Sequence, residues 1–94
     1  MKLSEAILKG CVNTNKIKMC LVDQNHLGVG CCVMGALAIG LGCELNQEKI
    51  RAFLDDLWDR GEITTKLWQE MNRRNDHTDE TRESIASWLW SLGR

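Results

Sequence analysis

Cys31 and Cys32 stand side by side at the head of an uncharged segment, and 45 residues after Cys32 comes the run Asn75, Asp76, His77. A cysteine at the first turn of a helix meets unpaired N–H groups and the positive end of the helix dipole, and both favour the thiolate. With His77 as base and Asp76 or Asn75 orienting its ring, Cys32 would have the parts of a cysteine nucleophile, or of a pocket for a small ligand. No nucleophile signature surrounds it, however, and nothing in the spacing requires the three to meet. The competing reading is structural. Cys32 is then a small buried hydrophobe, Asn75 and Asp76 are turn or capping residues that bond nearby backbone, and His77 is an exposed loop residue. The second reading needs fewer assumptions, so the sequence leans against an enzyme without deciding the question. His26 sits in a turn, with no partner identifiable.

A second kind of chemistry is recognition. Trp58, Trp68, Trp88 and Trp90 all lie in the C-terminal half. On one helix, Trp88 and Trp90 point about 200° apart, so one of them stays partly exposed. Exposed tryptophan is a frequent interface anchor, although it also serves as a rim over a small core. Arg73 and Arg74, beside Asp76, Asp79 and Glu80, could supply the polar rim. The candidate partner-binding set is therefore Trp88, Trp90, Arg73 and Arg74, with a homodimer through the same margin as a further possibility.

Composition narrows what such residues can be doing. The chain has 94 residues, 44% apolar and 27% charged, which suits one small globular domain over 1–94 rather than disorder. Its 12 basic and 13 acidic side chains give a net charge of −1, without the basic stripe that nucleic-acid binding requires. Five cysteines form an odd set, and Met1–Gly10 is a charged amphipathic start rather than the apolar core of a signal peptide. Reduced thiols in a cytoplasm follow. No C-x-x-C spacing is present, so no metal and no cofactor is expected. The uncharged run Leu27–Cys43 touches the lower length limit for a membrane span, but it is glycine-rich and lacks aromatic and basic flanks, which argues against the membrane.

The elements that must position these residues can be read from their periodicity. Ser4 can cap a first helix through Lys9, stopped by Gly10. Ile17, Met19 and Leu21 alternate with Lys16, Lys18 and Cys20, which predicts a half-buried strand, and "DQNHLG" predicts the turn of a hairpin from about 17 to 30. From Cys32 the period becomes helical. Val33, Leu37 and Leu41 form one stripe and Cys32, Ala36 and Gly40 a neighbouring stripe of small residues, so this helix belongs in the middle and lets another backbone approach it closely. Asn46 caps the next helix, which runs to Arg60 and is closed by Gly61, with Ile50, Phe53, Leu54, Leu57 and Trp58 facing the core. Thr64 opens another helix, which buries Leu67 and Met71. The stretch 72–81 has no apolar residue and predicts an exposed loop. A last helix from about Thr81 buries Ile85, Ala86, Leu89 and Leu92. The fold class expected is mainly α, or a small α+β domain, with a short hairpin packed on a buried Gly/Ala/Cys-rich helix.

Three of these pieces together resemble a family of small proteins of phages, prophages and bacteria. "KLSEAILKG" is similar to that family's amphipathic start, and "CVMGAL" to its Cys-x-x-Gly-Ala helix opening. "NDHTDETRESIASWL" is similar to its Asn-Asp loop and Ser/Thr-Arg-Glu-x-Ile-Ala-x-Trp helix. The matching positions are Cys32, Gly35, Ala36, Asn75, Asp76, Arg82, Glu83, Ile85, Ala86 and Trp88. The family has no assigned activity, so the resemblance implies a phage or bacterial cytosolic setting and no mechanism. The function expected is that of a non-enzymatic binding or accessory protein acting on a host or viral protein, the alternative being the thiol-dependent or small-ligand site at Cys32.

Overall fold

Small residues one helical turn apart decide how this chain packs. In the computed structural model, which describes residues 1–12, 14–17, 21–25 and 28–94, helix α1 (Leu3–Cys11) crosses helix α2 (Val33–Gly40) at two such places. A methyl group built on Gly10 would lie 1.9 Å from the Ala36 carbonyl oxygen, and one on Gly40 would lie 1.7 Å from that of Ala6. Ala6 and Gly10 on one helix therefore meet Gly40 and Ala36 on the other, antiparallel and backbone against backbone. Gly35, on another side of α2, lies equally close to the Leu21 carbonyl. Val33, Met34, Ala36, Leu37 and Ala38 are all fully buried, so the helical middle of the uncharged segment is interior. Among the described residues no helix is long and apolar enough to cross a membrane.

Around α2 lie α3 (Gln47–Asp59), α4 (Thr65–Asp76), α5 (Arg82–Ser91) and a three-stranded sheet of β1 (Asn15–Lys16), β2 (Asp23–Asn25) and β3 (Gly28–Cys31). β3 is central. β1 pairs with it in parallel, Asn15 opposite Gly30, and β2 pairs antiparallel, Asp23 opposite Gly30 and Asn25 opposite Gly28. The protein is thus mainly α with a small β component, as the periodicity predicts. The three polar caps also form as their sequences require: Asn46 Oδ1 accepts from the Lys49 N–H at 3.0 Å, Thr64 Oγ1 from that of Leu67 at 3.2 Å, and Thr81 Oγ1 from that of Ser84 at 3.0 Å.

Elsewhere the structure differs from the sequence reading. Lys2, not Ser4, occupies the N-cap of α1; Ser4 is buried with its hydroxyl unpartnered among the described residues, while its N–H donates to the Arg94 backbone oxygen. Gly10 does not stop α1, which continues to Cys11, because the glycine is needed for contact with Ala36 rather than for a left-handed turn. The hairpin is displaced along the chain: Ile17, Leu21 and Val22 are not in strands, and half of the predicted turn is β2. Leu21 and Val22 are committed to neighbours instead, Leu21 against Gly35 and the Val22 N–H to Gln47 Oε1 at 3.1 Å. The remainder of that strand, Lys18–Cys20, and the hairpin tip with His26 lie outside the described residues. Finally, 72–81 is not a loop throughout. α4 continues to Asp76, and Asn75 is fully buried.

Candidate functional site

Asn75 projects from the last turn of α4 into the interior, where an amide must find partners for both ends. Its Oδ1 accepts from the N–H of Val33 at 3.0 Å, so it caps the start of α2 from another helix. Its Nδ2 donates to the Ile17 carbonyl at 3.0 Å and to Asp76 Oδ1 at 2.8 Å. Arg82, also buried, reaches the same sheet: Nη1 donates to Thr14 Oγ1 at 2.7 Å and to Cys31 Sγ at 3.1 Å, and Nη2 to the Thr14 carbonyl at 2.8 Å. Lys16 Nζ returns the contact by donating to the Glu80 carbonyl at 2.5 Å. These long-range bonds clamp the connection between α4 and α5 onto β1.

Cys32 occupies the N-cap of α2, as its spacing predicts, and is 4% exposed. Burial pushes its thiol up to about 11, outweighing the downward pull of the first-turn backbone of Gly35 and Met34; Asp76 and Cys31 add to the rise. Desolvation therefore defeats the dipole, and the sulfur is a protonated thiol at neutral pH. Cys32 and Asp76 line one cavity of about 350 Å³ together with Gln47, Arg51, Trp68 and Asn72. His77 is not part of it. It caps the C-terminus of α4, is exposed, and makes no hydrogen bond to Cys32. The cysteine, histidine and carboxylate of the sequence reading are not assembled. Among the described residues no group of three or more His, Cys, Asp or Glu side chains is placed to hold a metal ion.

The recognition residues converge more closely. Between α4 and α5 runs a groove of about 510 Å³, with Leu67, Trp88 and Leu92 as its apolar lining and Lys66, Glu70, Arg73 and Arg94 around them. Arg73 bonds Glu70 in a fork, at 3.1 and 2.7 Å, and Arg74 Nε meets the same carboxylate at 3.1 Å. The hydrogen bond from Arg73, followed by that from Arg74, holds the Glu70 carboxyl down to about 2. The Arg74 guanidinium also stacks 4.1 Å from the centroid of the Trp88 ring, which fixes the indole at the groove. Arg73, Arg74 and Trp88 are thus brought together. Trp90 is not: it stands outside the groove, 57% exposed, with Lys2 over its ring at 4.1 Å.

Sequence reasoning missed Lys66, Arg94 and Leu92 as part of this groove. The signal was present: Lys66, Glu70 and Arg73 lie at i, i+4 and i+7, one stripe of a helix, and Leu92 is one turn beyond Trp88. Leu92 is exposed rather than buried because the groove stays open above it. On the other flank of α4 a second cleft, of about 230 Å³, is lined by Asp55, Trp58, Thr65, Trp68 and Gln69. Trp58, expected in the core, is 48% exposed there and donates from Nε1 to Thr65 Oγ1 at 2.9 Å. Ile50, Leu54 and Leu57 define the buried face of α3, and eight residues beyond Ile50 a side chain has rotated about 80° away from it. Gln69 lines both clefts and forms the crest between them. Comparison of the chain with family models, with curated proteins and with solved structures finds no match.

Proposed function

We propose that the protein is a non-enzymatic binding protein that engages another protein through the outer face of α4. The observation that carries this reading is the groove itself, in which an apolar lining around Trp88 is propped by Arg74 and edged by cations. A fixed aromatic anchor beside arginine is the composition from which interface hot spots are built. The resemblance to phage and prophage proteins supports a host or viral protein as the partner, and the odd set of cysteines supports a reducing bacterial cytoplasm. A photo-crosslinking amino acid at Gln69, expressed in a bacterial host, tests the idea. A heterologous adduct that disappears when Trp88→Ala is added supports it; adducts no different from those of the same probe at Glu48 reject it.

The cavity shared by Cys32 and Asp76 favours a second reading, as a small-ligand site. Arg51, with no ion-pair partner among the described residues, lines it, as does the Trp68 ring. Here the thiol serves as a wall and not as a nucleophile. Thermal stabilisation by a panel of small carboxylates, lost in Arg51→Gln, is the outcome this reading requires.

A further inference from the structure

The two flanks of α4 differ in charge, and each carries an open cleft. On one side, Lys66 and Arg94 edge the groove with no ion-pair partner among the described residues. On the other, Asp55 lines a cleft with the exposed Trp58, the exposed Asp59 follows Trp58 in the chain, and neither acid has an ion-pair partner among the described residues. A protein whose net charge is −1 has therefore placed cations and anions that are unpaired among the described residues on either side of a single helix. It has also left a large aromatic ring beside the anions and an open apolar slot beside the cations.

We propose that a second copy of the chain occupies the α4–α5 groove, inserting Trp58 and its flanking Asp55 and Asp59, in a two-fold pair whose axis runs along α4. A two-fold rotation about that axis exchanges left and right of α4 while preserving height along it. Each acidic flank is then carried over the partner's basic groove, and the same contact forms twice. The heights match. Trp58 is bonded to Thr65, so it arrives level with the end of the groove lined by Thr64, Lys66 and Leu67. Asp55 shares its cleft with Trp68 and Gln69, so it arrives level with Gln69, one turn short of Arg73. The two Gln69 crests meet at the axis. The contact is closed, so it makes a dimer and not a filament.

This inference rests on the reading of the α4 face as an interaction surface, and it names what fills that face when no other protein does. Sedimentation velocity on the full chain should give twice the 10.7 kDa of one chain, with the dimer weakened by salt. Lys66→Glu with Arg94→Glu, and separately Asp55→Lys with Asp59→Lys, should each raise the dissociation constant at least about tenfold, since like charges then face each other. All four positions are exposed, so circular dichroism should be unchanged. Mixing the two variants in equal amounts restores opposite charges at both contacts and should restore the dimer. The photo-crosslinking residue at Gln69 should independently give a species of twice the chain mass, joined within 55–69. A wild-type chain that stays monomeric to several hundred micromolar overturns the proposal, as does a mixture of the two variants that remains monomeric. A monomer that captures a different protein at Gln69 sinks the self-pairing and leaves the interaction reading standing. A dimer of this geometry that captures nothing else does the reverse.

Discussion

Asn75 shows how much a single polar side chain can hold when it is buried and fully bonded. It satisfies the first N–H of α2 and the Ile17 carbonyl at once, and no other side chain bonds either group among the contacts described. Asn75→Ala leaves both unpaired in the interior and should cost about 2–4 kcal/mol, read as a lower urea midpoint with unchanged slope. Asn75→Asp keeps the acceptor for Val33 but sets a buried carboxylate against the Ile17 carbonyl and Asp76 Oδ1, so it should cost at least as much as Asn75→Ala. The cysteines give a second prediction. An unfolded thiol ionises near 9, whereas folding pushes Cys32, and likewise Cys11, up to about 11. Between those values the unfolded chain has released protons that the folded chain keeps, so stability falls as pH rises from about 9 to about 11. Urea titrations at intervals across that range should show the decline, and Cys32→Ala should flatten it. The importance of Asn75 was hidden in the sequence for a physical reason. Periodicity reports apolar burial, and a polar residue buried by hydrogen bonds from 42 and 58 positions away leaves no periodic trace.

Helices whose ends are set by neighbouring residues were legible, and contacts made across the chain were not. Asn46, Thr64 and Thr81 each cap through an N–H three residues on, a local bond that residue type and position announce. The small stripe of α2 was legible as a surface for close approach, but its partner was not, and Gly10 looked like a stop because glycine serves both purposes. Substitution separates the two. Gly40→Ala drives a methyl into the Ala6 carbonyl and forces α1 and α2 apart, which should cost about 3 kcal/mol or more. Gly61→Ala meets no atom and has only its positive φ of 76° to oppose, so about 1 kcal/mol is expected. Paired urea curves for the two variants give the comparison directly. The candidate site divides in the same way. Arg73, Arg74 and Trp88 were singled out because their types are typical of interfaces, and they lie together, whereas Arg94 and Leu92 joined them only once α4 and α5 were packed together.

At the scale of the whole molecule, a body 36 × 27 × 22 Å across has α2 at the centre and its tryptophans at or near the surface. The two C-terminal rings should differ in what they hold. Trp90→Ala removes an exposed ring and its contact with Lys2, a change worth under about 1 kcal/mol. Trp88→Ala removes a half-buried ring and its stacking with Arg74, so it should cost more in thermal denaturation as well as emptying the groove. Neither substitution reaches the centre, on which everything else depends. Cysteine alkylation under native conditions, mapped site by site by mass spectrometry, tests that centre most directly. Cys31 and Cys32 should stay unmodified while the half-exposed Cys43 reacts, and should become reactive only in step with global unfolding in urea. Modification of Cys32 as fast as that of Cys43 in the folded protein would contradict a closed interior and reopen the case for a reactive thiol.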